Sequence, residues 1–113
     1  MVITPHDRRR FVPRVDFVTT PGYLTGPGAR DAAGLPRGTG PAYVVSTLAL
    51  MDYDPVTCRM RLKATHPGVS VDEVLASIGF ELLISDRVEV NAPPSAEELR
   101  LLREEIDPEK LYI

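Results

Sequence analysis

The stretch YVVSTLALMDYDPVTCRMRLKAT, residues 43–65, decides the fold. Its first half, Tyr43 to Tyr53, is nearly continuously apolar and opens on a Val-Val pair, the pattern of a strand covered on both faces. A buried helix has much the same pattern, but the Pro41 entry and the Asp52-Tyr53-Asp54-Pro55 exit favour a strand. Asp54-Pro55-Val56-Thr57 is a turn, because proline presets the φ that the turn needs. Beyond it Cys58, Met60, Leu62 and Ala64 alternate with Arg59, Arg61, Lys63 and Thr65, giving one apolar and one largely cationic face. The two strands make an antiparallel hairpin from Tyr43 to Thr65. Cys58 falls on its inward side and reads as an inert core residue, not a nucleophile, since only His66, at the strand exit, is near it in sequence.

Upstream, PRVDFVTTPGYLTGPGARDAAGLPRGTGP (Pro13 to Pro41) holds six of the eight glycines and five of the eleven prolines. Val15, Phe17 and Val18-Thr19-Thr20 form a short extended run that Thr20-Pro21-Gly22 stops, since a residue before proline is held extended. The rest is a loop longer than a compact domain leaves unstructured unless it serves a site or an interface. Its prolines and its spaced apolar residues Tyr23, Leu24 and Leu35 predict an ordered, packed loop. An ordered crossing loop without chemistry fits the same residues. Before it, Met1-Val2-Ile3 resembles the tail of a strand whose beginning is missing, a first sign of a fragment, and Pro5 to Phe11 has poor helix signals.

Downstream, Thr65-His66-Pro67-Gly68 ends the hairpin and Ser70-Val71-Asp72-Glu73 is a capping box that starts a helix over 71–78, with Val71, Val74, Leu75 and Ile78 on its apolar face and Gly79 as its C-terminal cap. Phe80–Ile84 and Arg87–Val90 read as a strand or a broken strand pair interrupted by Ser85-Asp86. Ser95-Ala96-Glu97-Glu98 repeats the capping pattern and starts a second helix, 96–106, with Leu99, Leu102 and Ile106 inward and Asp107-Pro108 ending it. The apolar tail Lys110-Leu111-Tyr112-Ile113 is expected to pack against something.

Composition limits the function classes. With 113 residues, 43% hydrophobic and 26% charged, the chain suits one globular domain. No run approaches membrane-spanning length and the N-terminus is too short for the apolar core of a signal peptide, so a cytoplasmic location and no membrane partner are expected. The net charge of −3 conceals a basic start: residues 1–40 carry six arginines against Asp7, Asp16 and Asp31. Arg8-Arg9-Arg10 lacks interleaved aromatics and the acidic remainder would repel phosphate backbones, so no nucleic-acid partner is expected. A single cysteine excludes an internal disulfide and a CxxC metal or redox site.

No catalytic constellation is complete. His6 and His66 are far apart, fall in no metal-binding pattern, and read as surface or turn residues. Gly26 and Gly28 do not open a helix after a strand as a nucleotide-binding motif requires. Glu81 is a lone carboxylate in the strand after Gly79-Phe80, catalytic only with a partner that the sequence does not show.

Arg9-Arg10-Phe11, VDFVTTPG (15–22), GPGAR (26–30), GLP (34–36), GP (40–41), VVST (44–47), GFELL (79–83) and LREEIDP (102–108) together resemble the C-terminal half of family I CoA-transferase B subunits, the glutaconate type in particular. The likeness runs nearly end to end and in order. HPGVS (66–70) is also similar to hydrolase-like relatives that act on ring-cleavage CoA esters.

This resemblance implies the C-terminal part of a three-layer α/β/α CoA-transferase domain, with 1–113 as one partial domain. It implies a component of an enzyme that moves coenzyme A between carboxylic acids, with the CoA thioester as substrate and no further cofactor. In such enzymes a glutamate attacks the acyl-CoA thioester to give an anhydride, CoA thiolate returns to give a glutamyl-CoA, and backbone amides in glycine-rich loops stabilise the oxyanion. That glutamate belongs to the first half of the family's B chain; Glu73, Glu81, Glu97 and Glu98 do not match it, and no catalytic residue is carried over. Thr19, Thr20, Pro21, Gly22, Gly26, Gly28 and Arg30 remain as residues that could line a substrate or CoA pocket or an interface between subunits. The implied partners are the companion A-type polypeptide of the CoA-transferase and the missing first half of the B-type one, or a second copy of the chain, and the isolated chain is expected to be inactive. A non-catalytic scaffold of the same fold, part of a related CoA-ester hydrolase, and an independent binding domain using the 13–41 loop are the alternatives.

Overall fold

The computed structural model describes residues 1–111, so Tyr112 and Ile113 of the apolar tail lie outside the described residues. Its centre is a five-stranded sheet in the order β1-β2-β3-β4-β5, with β1 at Val2–Thr4, β2 at Val44–Ser46, β3 at Ala49–Tyr53, β4 at Met60–Thr65 and β5 at Leu83–Val90. The two middle pairings, β2 with β3 and β3 with β4, are antiparallel; the outer ones, β1 with β2 and β4 with β5, are parallel. The expected hairpin is the β3–β4 pair, with Tyr53 opposite Met60 and Asp52 opposite Arg61.

The single strand expected over 43–53 is instead two strands folded on each other, Val44 opposite Met51 and Val45 opposite Leu50. The chain reverses at Thr47-Leu48 without glycine or proline because the Ser46 hydroxyl accepts from the amides of Leu48 at 3.3 Å and Ala49 at 3.0 Å. Burial alternates along both strands: Val44, Ser46, Ala49 and Met51 are buried, while Val45 and Leu50 are half-buried. The expectation of cover on both faces is therefore corrected to a core on one face.

That core joins Val44, Ala49, Met51 and Leu62 of the sheet to Val74 and Ile78 and to Phe11 and Leu82. A short helix, α1 (Ala29–Ala32), lies in the long segment before β2, and Val74 belongs to α2 (Val71–Ala76). The second helix is capped by the Ser70 hydroxyl, which accepts from the Glu73 amide at 3.2 Å. Gly79 is not that helix's cap, a place taken by Ser77. Its amide donates to the Phe11 carbonyl at 2.8 Å, and a Cβ there would lie 2.6 Å from that oxygen, so glycine is required by close approach.

Of the strand or broken strand pair expected after Gly79, the structure has one strand, β5, with its pairing to β4 interrupted: Leu83 and Ile84 face Arg61 and Leu62, and the ladder resumes at Ala64 opposite Glu89. The helix expected over 96–106 spans those residues as α3 (Ala96–Arg100) and a π-helical continuation, Leu101–Ile106, behind a full capping box of Ser95 and Glu98. Ile106 is 72% exposed, so it does not share the inward face with Leu99 and Leu102.

Residues 13–41 join no strand of the sheet, the extended run Val15–Thr20 included, and α1 is their one helical turn. The radius of gyration, 16.1 Å, exceeds the roughly 13 Å of a compact chain of this length. Among the described residues no helix is long and apolar enough to cross a membrane.

Candidate functional site

The 13–41 loop is held by side chains that meet its own backbone. Tyr23 donates its hydroxyl to the Pro41 carbonyl at 2.9 Å and packs its ring on Tyr53 with centroids 5.0 Å apart, which anchors the loop to β3. Burial and the neighbouring Tyr23 push the Tyr53 hydroxyl pKa up. Gly40, at φ 141, lies under the Tyr23 ring, where a Cβ would come within 3.4 Å of it; both the dihedral and the contact call for glycine. Tyr23 and Leu35 are half-buried as the packed-loop expectation requires, whereas Leu24 is exposed at φ 53.

Arg30 is the other brace. Its guanidinium donates to the Gly22 carbonyl at 2.5 Å and to the Thr39 hydroxyl at 2.6 Å, and that hydroxyl donates to the Pro36 carbonyl at 2.6 Å. Two hollows meet at Arg30. The larger, of about 390 Å³, is lined by Met1, Val2, Thr20, Pro21, Gly22, Arg30, Gly40 and Pro41. The smaller, of about 150 Å³, is lined by Tyr23, Gly26, Gly28, Arg30, Asp31 and Cys58. Six of the seven residues expected at a pocket or interface thus line these two walls, and Thr19 lines neither.

Cys58 is not in the core. It sits in the β3–β4 turn at φ 58, half-buried, facing the smaller hollow. The turn is set by Asp54, whose carboxylate accepts from the Val56 and Thr57 amides at 3.1 and 2.7 Å and from the Thr57 hydroxyl at 2.8 Å. The bonds from Thr57, with Arg61 nearby, hold the Asp54 pKa below its ordinary value.

His6 is placed differently from the expectation, while His66 keeps its place at the strand exit. His6, expected at the surface or in a turn, is 8% exposed: its Nε2 faces the Val74 carbonyl at 3.1 Å and its Nδ1 the Ser46 hydroxyl at 2.8 Å. A carbonyl only accepts, so Nε2 donates to Val74, while the Ser46 hydroxyl that meets Nδ1 also donates to the Ala49 carbonyl at 3.0 Å. His66, at the β4 exit, meets the Ser46 carbonyl through Nε2 at 2.8 Å and the Asn91 amide nitrogen through Nδ1 at 3.0 Å. The pair converges on Ser46, itself 4% exposed, which makes this a buried brace and not an accessible serine–histidine nucleophile. Only a contact map could have revealed it, because no spacing links residues 6, 46, 66 and 91.

The glutamates singled out in the sequence lie away from the two hollows. Glu81 precedes β5 and does not lie in a strand; its side chain is 87% exposed, 3.5 Å from Arg59. Glu97 pairs with Arg100 at 2.9 Å, and Glu98 closes the α3 cap. Among the described residues no group of three His, Cys, Asp or Glu could hold a metal.

No family model matches the chain. It is 42% identical over 113 residues to the B subunit of glutaconate CoA-transferase from Acidaminococcus fermentans, a match that takes in 100% of this chain and 42% of that protein. It is 29% identical over 103 residues to the B subunit of 3-oxoadipate CoA-transferase from Pseudomonas knackmussii, covering 91% of the chain and 39% of the relative. With the IpdB subunit of the cholesterol ring-cleaving hydrolase from Rhodococcus jostii the identity is 34%, over 94% of the chain and 41% of the relative. The crystal structure of the Acidaminococcus glutaconate coenzyme A-transferase superposes with a TM-score of 0.88 at 38% identity over 98% of this chain and 42% of that one, and Rhodococcus jostii IpdAB with 0.72 at 32% identity over 96% and 43%. The chain spans about two-fifths of the length of these relatives. In sequence and in α/β fold alike, this chain is similar to the C-terminal portion of the B-type polypeptide of CoA-transferases.

Proposed function

We propose that the chain is a component of a CoA-transferase that moves coenzyme A between carboxylic acids of the glutaconate or 3-oxo acid type. The observation that carries this is the 42% identity across the whole chain to the B-type polypeptide of a glutaconate CoA-transferase. On this reading residues 1–113 supply a wall and not the nucleophile. The thioester has to be attacked by a carboxylate held against it, and Glu73, Glu81, Glu97 and Glu98 line neither of the two hollows. On this reading the attacking glutamate lies on polypeptide outside residues 1–113. The exposed Ile3, Phe17 and Val18 offer that polypeptide apolar surface.

The test is acyl-CoA exchange, measured with the chain alone and with the chain mixed with its A-type companion and the nucleophile-bearing part of the B type. Exchange into acetate, glutaconate or a 3-oxo acid is expected in the mixture only. Turnover by the chain alone would overturn the division of labour. A hydrolase component is the second reading, favoured by the 34% identity to the ring-cleaving hydrolase; hydrolysis of a CoA ester in the mixture, with water adding across the bond that breaks and no CoA passing to a second acid, would select it.

A further inference from the structure

We propose that Arg30 is an anion-binding residue, and that the groove between Gly22 and Gly40 takes an oxyanion, a carboxylate or a phosphate, against its guanidinium. The proposal rests on the CoA-transferase reading only for the choice of oxyanions; the geometry stands apart from it. Arg61 and Arg100 are matched to carboxylates, Arg61 to Asp52 at 2.8 and 2.9 Å and Arg100 to Glu97 and Glu105 at 2.9 Å each, while Arg8, exposed to solvent, donates to the Ala76 carbonyl at 2.9 Å. No ion pair among the described residues involves Arg30. Two of its five N–H groups go to neutral oxygens, of Gly22 and Thr39, and its Nε is sheltered from solvent with no acceptor at all. Charges drawn into a protein are normally paired, so a braced cation with spare donors is a prepared half of an ion pair.

The walls say on which side the other half sits. The smaller hollow has an acidic residue, Asp31, in its lining, which disfavours an anion there. The larger has no acidic side chain; Thr20 lines it, and next to Gly22 a Cβ would meet nothing within 4 Å, which leaves room beside the guanidinium. The braces from Gly22 and Thr39 fix the plane of the guanidinium in advance, which lowers the entropic cost of a two-point contact with a carboxylate or phosphate.

The experiment uses the 113-residue chain at constant ionic strength, titrated with inorganic phosphate, acetate or coenzyme A against chloride. A saturable rise in Tm and a saturable movement of the Arg30 Nε–H resonance are expected with at least one of them, about tenfold weaker or lost in Arg30→Gln. A response to phosphate and coenzyme A without acetate assigns the groove to a phosphate, and the reverse assigns it to an acid. The resonance reports on the unaltered chain, so the test survives a variant that does not fold. A resonance that moves no further than in chloride, or equal binding by folded Arg30→Gln, would overturn the proposal. Exchange activity in the mixed assay with no anion response removes the anion site and leaves the proposed function; an anion response without exchange or hydrolysis does the opposite.

Discussion

The Nδ1 of His6 lies 2.8 Å from the hydroxyl oxygen of Ser46, joining the segment after β1 to the end of β2 inside the protein. The same hydroxyl also serves the Leu48 and Ala49 amides, so one side chain both turns the chain and holds the histidine. Ser46→Ala leaves buried donors and an acceptor unmatched and is expected to cost about 1–3 kcal/mol. Urea unfolding measures it, and a loss near zero would mean that water takes over those bonds.

Leu62 is fully buried in the core that also holds Met51 and Val74. Leu62→Ala is expected to cost about 2–5 kcal/mol, with Ile106→Ala within about 0.5 kcal/mol because Ile106 is 72% exposed. Thermal unfolding of the two variants side by side checks the ordering.

Gly79→Ala places a methyl group against the Phe11 carbonyl, a backbone atom that cannot swing aside. The expected result is a loss of more than about 1 kcal/mol and faster exchange of the Gly79 amide, the donor of that contact.

Acid is expected to loosen the C-terminal helix. Glu98 accepts from the Ser95 amide and hydroxyl at 2.8 Å each, and these bonds hold its pKa below the ordinary 4.5. A carboxylate depressed in the folded state stabilises it at pH above the unfolded value and loses that contribution as pH falls through the lower, folded value. Circular dichroism and the Glu98 amide resonance, followed downward from about pH 6, should report fraying below about 4.5, near the ordinary glutamate value. Glu98→Gln should remove most of that dependence.

Glu81→Gln is expected to leave exchange in the mixed assay unchanged, because the carboxylate is 87% exposed and its 3.5 Å ion pair with Arg59 lies in solvent. An inactive, folded variant would make Glu81 the nucleophile.

Elements were legible where a local chemical signal sets them. Asp54-Pro55 announces the turn and the alternation after it announces β4; Ser95 and Glu98 announce α3. The reversal at Thr47-Leu48 was hidden because its signal is one serine hydroxyl inside an apolar run. The role of Gly79 was hidden because it depends on Phe11, remote in sequence. At the candidate site the density of glycine and proline marked the loop that supplies most of the lining of the two hollows. That Arg30 turns back onto Gly22 and forward onto Thr39, eight and nine residues away, follows no helical or strand period and had to be seen.

The strand order has a consequence for how the protein assembles. β2, β3 and β4 neighbour one another in the chain as they do in the sheet, so their contacts close short loops, while β1 reaches β2 only after residues 5–43 have doubled back. The meander is therefore the natural nucleus and β1 its last arrival. In native-state hydrogen exchange the amides of Met51 and Leu62 should be the slowest, and that of Val2, bonded to the Tyr43 carbonyl at 3.0 Å, should open well before them. Since doubling a flexible connection costs only about 0.6 kcal/mol, the long crossing between β1 and β2 can gain or lose residues away from Tyr23 and Arg30 with little effect on whether the meander folds.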